Sequence, residues 1–250
     1  MFVNGGNYWA PASVPVLPLG RYFSDCDVTR TGGVGLVDDG SVLVWGAEYN
    51  PFFLPLGVVT YPPAPSLPNG TLFVDVDAGT YHVMALRSDG VLVAWGDNTY
   101  GQCNVPQWPA GVAVTAIRAI GSTSVAFLSD GSLGMFGYTG AYLGQMPPPP
   151  PGVSCVDIAL GSGHGLLLLS DGQVMAWGDN SHGECNVPAL PPGTSYIAIA
   201  AESGHSHAAR SDGTILSWGQ VWGLPIPPSE TLWTLPPGVT CTQMAAGQFQ

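Results

Sequence analysis

Three histidines, His82, His164 and His205, stand in one register of the chain, separated by 82 and then 41 residues. Imidazoles at fixed spacing are candidates for metal ligation or proton transfer, because the ring changes protonation near neutral pH. Repetition in phase favours a structural role performed once per repeat, such as bonding a neighbouring turn. The densest local cluster is Glu202-Ser203-Gly204-His205-Ser206-His207. It sets two histidines on one strand face, with neither cysteines at zinc spacing nor a third evident ligand, so no metal site is assigned. Asp75 and Asp77 alternate along one strand and resemble an acid–base carboxylate pair, for which a polar strand face is the simpler account. Gly161-Ser162-Gly163-His164-Gly165 is followed by a β-prone run, whereas a phosphate-binding loop opens a helix. A Gly-x-Ser-x-Gly nucleophile elbow is absent. The expectation is a non-enzyme with no catalytic residues and no cofactor.

The elements that carry these residues follow from a longer pattern. Asp-Gly pairs fall at Asp39, Asp89, Asp130, Asp171 and Asp212, in steps of 50, 41, 41 and 41 residues. Six residues after each aspartate stands an aromatic-Gly pair: Trp45-Gly46, Trp95-Gly96, Phe136-Gly137, Trp177-Gly178 and Trp218-Gly219. A fixed period of this size marks a repeat architecture in which each unit buries its apolar surface against its neighbours. Within residues 73–106 three short β-prone segments are separated by turn signals, and the Asp-Gly loop suits a two-residue type I′ hairpin. Gly79 and Gly161 fit a close approach of inner strands, and Trp95, Trp177 and Trp218 fit sheet-on-sheet packing. Small antiparallel sheets repeated at this spacing predict an all-β fold, a β-propeller in a single domain over residues 1–250. Six blades are expected, five full repeats plus a composite blade closed by the N- and C-terminal segments, with five or seven blades as alternatives. The basis is that 239–250 reproduces the opening of the unit at 153–161, while Gly6 to Pro15 resembles the closing phrase Asn98 to Pro106.

Composition narrows the partners. The net charge is −12, from 17 acidic residues against five arginines and no lysine. Such a surface repels a phosphate backbone, which excludes direct nucleic-acid binding. Apolar residues make up 46% of the chain but come in short runs broken by Gly and Pro, so no membrane-inserting helix is expected. Met1 to Gly6 lacks the basic and apolar regions of a secretory signal, and the chain is expected to be made in the cytoplasm. Cys103 and Cys185 share one repeat phase, as do Cys155 and Cys241, too far apart in a propeller for disulfides. Free thiols are predicted.

The phrase Ala78-Gly79-x-x-His82-x-x-x-Leu86-x-Ser88-Asp89-Gly90, continued by Trp95-Gly96-x-Asn98-x-x-Gly101-Gln102, resembles the repeat of the regulator of chromosome condensation family. The short form ending Gln102-Cys103-Asn104-Val105-Pro106 is similar in style to bacterial members such as the propeller-type β-lactamase inhibitory protein. The resemblance implies a propeller. No nucleotide-exchange activity is expected from it, since the third unit (Gly137 to Gln145, then Pro147 to Pro151) and the fifth (Gly219-Gln220-Val221-Trp222-Gly223) depart from the repeat phrase. In the inhibitor-like relatives, aromatics just before the repeat histidine form the partner-binding face. Here that phase holds Tyr81, Ser122, Gly163, Gly204 and Phe249, of which Tyr81 and Phe249 match in kind.

Two apolar segments break the repeat rules: Pro51 to Val59, containing Phe52, Phe53 and Leu54, and the run after the fifth unit, containing Trp222 and Trp233. Proline-stiffened aromatic loops either plug a propeller or present a contact patch. With Tyr81 and Phe249, these residues are the predicted partner-binding set. The expected function is a protein-binding or assembly propeller, a structural or decoration subunit of a larger particle such as a virion. A soluble inhibitor or receptor-recognition module is the second reading, and a metal-dependent hydrolase or lyase around His205 and His207 the third.

Overall fold

The computed structural model describes residues 14–28, 32–49, 58–60, 62–138, 140, 146–221, 224–235 and 241. The chain divides into two compact units, residues 1–138 and 139–250. In the first unit, strands β1 (Phe23–Val28), β2 (Gly32–Val37), β3 (Val42–Tyr49) and β4 (Val58–Thr60) form a meander in that order. Strands β5 (Phe73–Ala78), β6 (His82–Arg87) and β7 (Leu92–Gly96) form the next sheet, and β8 (Val114–Ile120), β9 (Thr123–Leu128) and β10 (Leu133–Gly137) the third. The second unit holds β11 (Cys155–Leu160), β12 (His164–Leu169) and β13 (Val174–Gly178), then β14 (Tyr196–Glu202), β15 (His205–Arg210), β16 (Thr214–Val221) and β17 (Leu224–Thr234). Among the described residues, all pairings are antiparallel between sequence neighbours. The five sheets coincide with the five predicted repeats. The composite closing blade falls on terminal segments that lie almost wholly outside the described residues.

The middle strands explain the apolar runs of the sequence. Along β6 the side chains alternate between two partners: Val83 and Ala85 pack with Val34, Leu36 and Phe73, while Met84 and Leu86 pack with Ile117, Ala126 and Phe136. A strand buried on both faces reads as a continuous hydrophobic stretch. The same holds in the second unit, where Leu166 and Leu168 of β12 meet Ile199, Ala208, Leu216 and Trp218. Full burial of one such leucine stabilises the sheet pair by about 1.5–3 kcal/mol. Trp95 and Trp218 are buried in these clusters, each indole N–H donating to a backbone carbonyl, that of Pro62 at 3.0 Å and Glu184 at 2.7 Å.

The repeat turn differs from the two-residue hairpin predicted. Arg87 N–H donates to the Val91 carbonyl and Gly90 N–H to the Arg87 carbonyl, so Ser88, Asp89 and Gly90 make a three-residue loop with Gly90 at φ 81°. This is the turn-plus-bulge hairpin, which needs one left-handed residue, and glycine supplies it. The serine of the phrase ties the turn to the inner strand. Ser88, Ser129, Ser170 and Ser211 each accept, on the hydroxyl, the backbone N–H of the residue at the foot of that strand, at 3.0–3.1 Å.

The segment after β16 is a second departure. Where the sequence reading has an irregular proline-stiffened loop, β17 runs antiparallel to β16, with Trp233 opposite Ile215. The register skips between Ser217↔Glu230 and Gly219↔Ile226, leaving Pro227 and Pro228 outside the ladder, while Pro225 pairs with Gln220 next to the hairpin end of this edge strand. The first insertion likewise ends as a strand, Val58–Thr60, paired to β3. Phe52, Phe53, Leu54, Trp222 and Phe249 lie outside the described residues.

Candidate functional site

The in-phase histidines resolve into two kinds. His82 Nε2 lies 2.8 Å from Ser124 Oγ on the next sheet, and Ser124 in turn donates to the Gln102 carbonyl at 2.7 Å. In the second unit His164 Nε2 lies 2.9 Å from Ser206 Oγ, which donates to the Glu184 carbonyl at 2.9 Å. Each hydroxyl gives its proton to a carbonyl, so it accepts from the imidazole, which fixes the Nε2–H tautomer. Both rings are buried, and burial drives their pKa down, that of His82 to about 4. These two are neutral staples between sheets.

The staples account for the repeat glycine. A Cβ at Gly79 would stand 2.4 Å from His82 Cε1 and 2.5 Å from the Gly121 carbonyl. At Gly161 it would stand 2.3 Å from His164 Cε1 and 2.5 Å from the Glu202 carbonyl. Glycine therefore admits both the ring and the next inner strand, as the sequence pattern implies.

His205 has a different setting. Its Nε2 lies 3.5 Å from Glu202 Oε2, and its ring meets that of His207 edge-on with centroids 4.7 Å apart. Glu202 and His205 face each other across the two-residue turn Ser203-Gly204. Burial, with His205 adding to it, lowers the His207 pKa to about 4. The third ligand-type group that spacing alone does not reveal is thus Glu202, brought to the histidine pair by the β14–β15 hairpin.

The aspartates of the inner strands also act between sheets. Asp27 Oδ2 accepts the Ala78 N–H at 3.1 Å, and Asp75 and Asp77 accept backbone N–H groups at Ile117 and Ala119 of β8. Burial first, then the shared hydrogen bond with Asp27, raises the Asp77 carboxyl well above the usual carboxylate range. The polar strand face is therefore a ladder of carboxyls that accept backbone N–H groups from the next sheet.

Solvent-facing aromatics gather at one end of the first unit. Tyr81 sits in the β5–β6 turn, half-buried, its carbonyl accepting the Asp97 N–H. Tyr100 follows β7 and Tyr138 follows β10; they are 55% and 50% exposed yet stack edge-to-face at 5.1 Å. The His82↔Gly96 and Thr123↔Gly137 pairings put all three tyrosines at the same ends of their sheets. Of the predicted partner-binding residues, Tyr81 alone is placed here with a described side chain. Repeat spacing does not single out Tyr100 and Tyr138, although Tyr138 stands where other units carry Asp97 and Asp179, a legible break in phase. Cys103, Cys155 and Cys185 are free thiols that donate to backbone carbonyls, and burial raises their pKa to about 11, 12 and 11. Such thiols are poor nucleophiles.

Comparison with known proteins agrees with this architecture. The family described as regulator of chromosome condensation (RCC1) repeat matches residues 73–102 and 155–184, the two His-bearing units that open with a stapled sheet. The structure of Prp20p from Saccharomyces cerevisiae is similar at 20% identity and a TM-score of 0.64, covering 80% of this chain and 58% of the other. Yeast RCC1 (Prp20) bound to Kap60 gives 20% identity and a TM-score of 0.62, covering 80% and 56%. The CRINKLY WD40 ectodomain of the Arabidopsis thaliana receptor kinase ACR4 gives 20% identity and a TM-score of 0.56, covering 84% and 70%. The chain spans less than three fifths of the yeast structures it resembles. No curated protein matches it at a significant level. The chain shares the all-β propeller fold of these structures, and its units at 73–102 and 155–184 match the RCC1 repeat.

Proposed function

We propose that this propeller is a non-enzymatic protein-binding module that engages its partner through the tyrosine-bearing sheet ends of the first unit. The observation that carries the reading is the Tyr100–Tyr138 pair. Two phenol rings held edge-on in solvent are pre-ordered before any partner arrives, so little side-chain entropy is lost when they are covered. Tyrosine is also enriched among residues that dominate binding energy. Similar propellers support the class: the Prp20p structure is reported with its binding to Gsp1p and histones, and a second captures Kap60 on it. The −12 charge favours a basic or neutral protein surface over nucleic acid.

Within this class, the specific form we favour is a decoration or attachment subunit of a larger particle such as a virion. Support comes from the absence of lysine and the apolar, proline-rich segments at 51–59 and 222–233. The test is affinity capture of the full chain from its native source, with stoichiometry by mass photometry. A defined partner should be retained by the native chain and lost from a Tyr100→Ala/Tyr138→Ala variant of unchanged thermal stability. Retention of that partner by the double variant would remove the tyrosine surface from the argument. A chain that stays monomeric and yields no assembly would remove the particle role. The inhibitor reading differs by its dependence on Tyr81: tight binding to one enzyme, abolished by Tyr81→Ala with Phe249→Ala, would replace the assembly role.

A further inference from the structure

The β14–β17 sheet breaks its own repeat rule at three positions, and all three breaks fall around one histidine. Register identifies them. His82, Thr123, His164 and His205 each pair with the positive-φ glycine after the repeat aromatic, so positions can be compared sheet by sheet. Three residues before the histidine, Gly79 and Gly161 leave room for the staple; the last sheet has Glu202. Two residues after it, Val34, Met84, Val125 and Leu166 are all fully buried apolar side chains; the last sheet has His207. Opposite that position, Ala94 and Ala176 are replaced by Ser217, whose buried hydroxyl has no hydrogen-bond partner.

Setting a half-buried imidazole and a buried hydroxyl where the repeat uses hydrocarbon costs stability unless the polar atoms are satisfied. At the equivalent Gly79 and Gly161 a Cβ would meet the staple ring at 2.4 and 2.3 Å, whereas the last sheet carries Glu202 there and His205 Nε2 lies beside its carboxylate. The outcome is a converging set: one oxygen of Glu202 and one nitrogen each of His205 and His207, all within 4.8 Å of one another. A tetrahedral ion with bonds of about 2.1 Å needs its ligand atoms about 3.4 Å apart. The His205 Nε2–Glu202 Oε2 separation of 3.5 Å already meets that, and small side-chain rotations of His207 and Glu202 would have to close the remaining separations, none of which exceeds 4.8 Å.

We propose that Glu202, His205 and His207 form a binding site for a divalent transition-metal ion, with zinc the best match. Two imidazoles and one carboxylate suit the borderline metals and not calcium or magnesium, which take oxygen ligands. The three ligand residues retain some solvent access, so an ion can enter, and the fourth position is left for water or for a donor from another molecule. Two ligands i, i+2 on a strand and a third across a tight turn make a rigid donor set, because the hairpin fixes their backbone. No reaction is implied.

The experiment is a zinc titration of the full chain by calorimetry in metal-free buffer, with cobalt absorption as an independent reading of coordination. One equivalent should bind, with a zinc-dependent rise in Tm. Glu202→Gly/His207→Leu puts back the residues the repeat uses elsewhere and is expected to fold. It should weaken zinc by tenfold or more and abolish the Tm rise. His182→Asn, which removes the exposed histidine beside Glu184, should leave binding unchanged. Unchanged zinc affinity in Glu202→Gly/His207→Leu, or binding lost only with His182→Asn, would overturn the assignment. So would the absence of any zinc uptake by the native chain.

Discussion

Lowering the pH should unfasten the first unit through His82, and the size of the effect follows from the staple. The ring is fully buried and donates Nε2–H to Ser124, so a second proton would have to enter at Nδ1. That nitrogen is enclosed without a hydrogen-bond partner. Burial accordingly lowers the pKa from 6.5 to about 4. The unfolded chain takes up the proton near pH 6.5 and the folded chain does not until about pH 4, so stability is complete above 6.5 and is lost as pH falls between the two. Across a gap of about 2.5 pH units, at roughly 1.4 kcal/mol each, the loss from this one group approaches about 3 kcal/mol. The assay is amide hydrogen exchange of β6 and β9 at pH 7.5, 5.5 and 4.5, referenced to intrinsic rates. The control is His82→Gln, which cannot titrate. Native protein should lose protection relative to the variant by up to about 1.4 kcal/mol per pH unit below 6.5. An identical pH slope in the two proteins would refute the buried, neutral staple.

The remaining predictions address the other inter-sheet contacts. Asp77 has the opposite sign: its carboxyl is raised by burial and by Asp27, so its stabilising contribution is present at low pH and is lost as pH rises through the raised value. Asp77→Asn should therefore gain stability relative to the native protein as pH increases, read as a rising Tm difference between pH 4 and 8; a constant difference would contradict the raised carboxyl. Gly161→Ala places a methyl 2.3 Å from His164 Cε1 and 2.5 Å from the Glu202 carbonyl, and should cost about 1–3 kcal/mol or more in urea unfolding. A loss below half a kilocalorie per mole, read against the usual surface range, would show that the close approach is dispensable.

What the sequence discloses and what it withholds have the same physical origin. The phase of His82, the Ser-Asp-Gly phrase and the Trp-Gly pair reveal strand order, because a residue with one role in every sheet must recur at the sheet spacing. That spacing cannot show which atom meets which. The serine partners of His82 and His164 stand 42 residues on, at Ser124 and Ser206, and become visible as partners only when adjacent sheets are superposed. The three-residue loop escapes prediction because Asp-Gly serves both hairpin types, and which one forms depends on the strand register. The segment 224–234 reads as a loop because its prolines forbid a regular ladder, yet an irregular edge pairing accommodates them.

The candidate site is half legible for a related reason. His205 and His207 are spaced like strand neighbours, so their pairing is foreseeable, whereas Glu202 joins them only because a two-residue turn folds β14 back on β15. The repeat itself supplies the test for function that composition cannot. A histidine kept in phase together with its glycine and its serine is explained by packing. A histidine kept in phase after its glycine has become Glu202 and the adjoining core position has become His207 is not, since each change alone would weaken the sheet and the counterparts of His207 (Val34, Met84, Val125 and Leu166) are all apolar. Departures that cost stability singly and converge spatially are what a binding demand leaves in a repeat protein. The replacement of the outer-loop aspartate by Tyr138, beside an exposed Tyr100, follows the same logic on the surface.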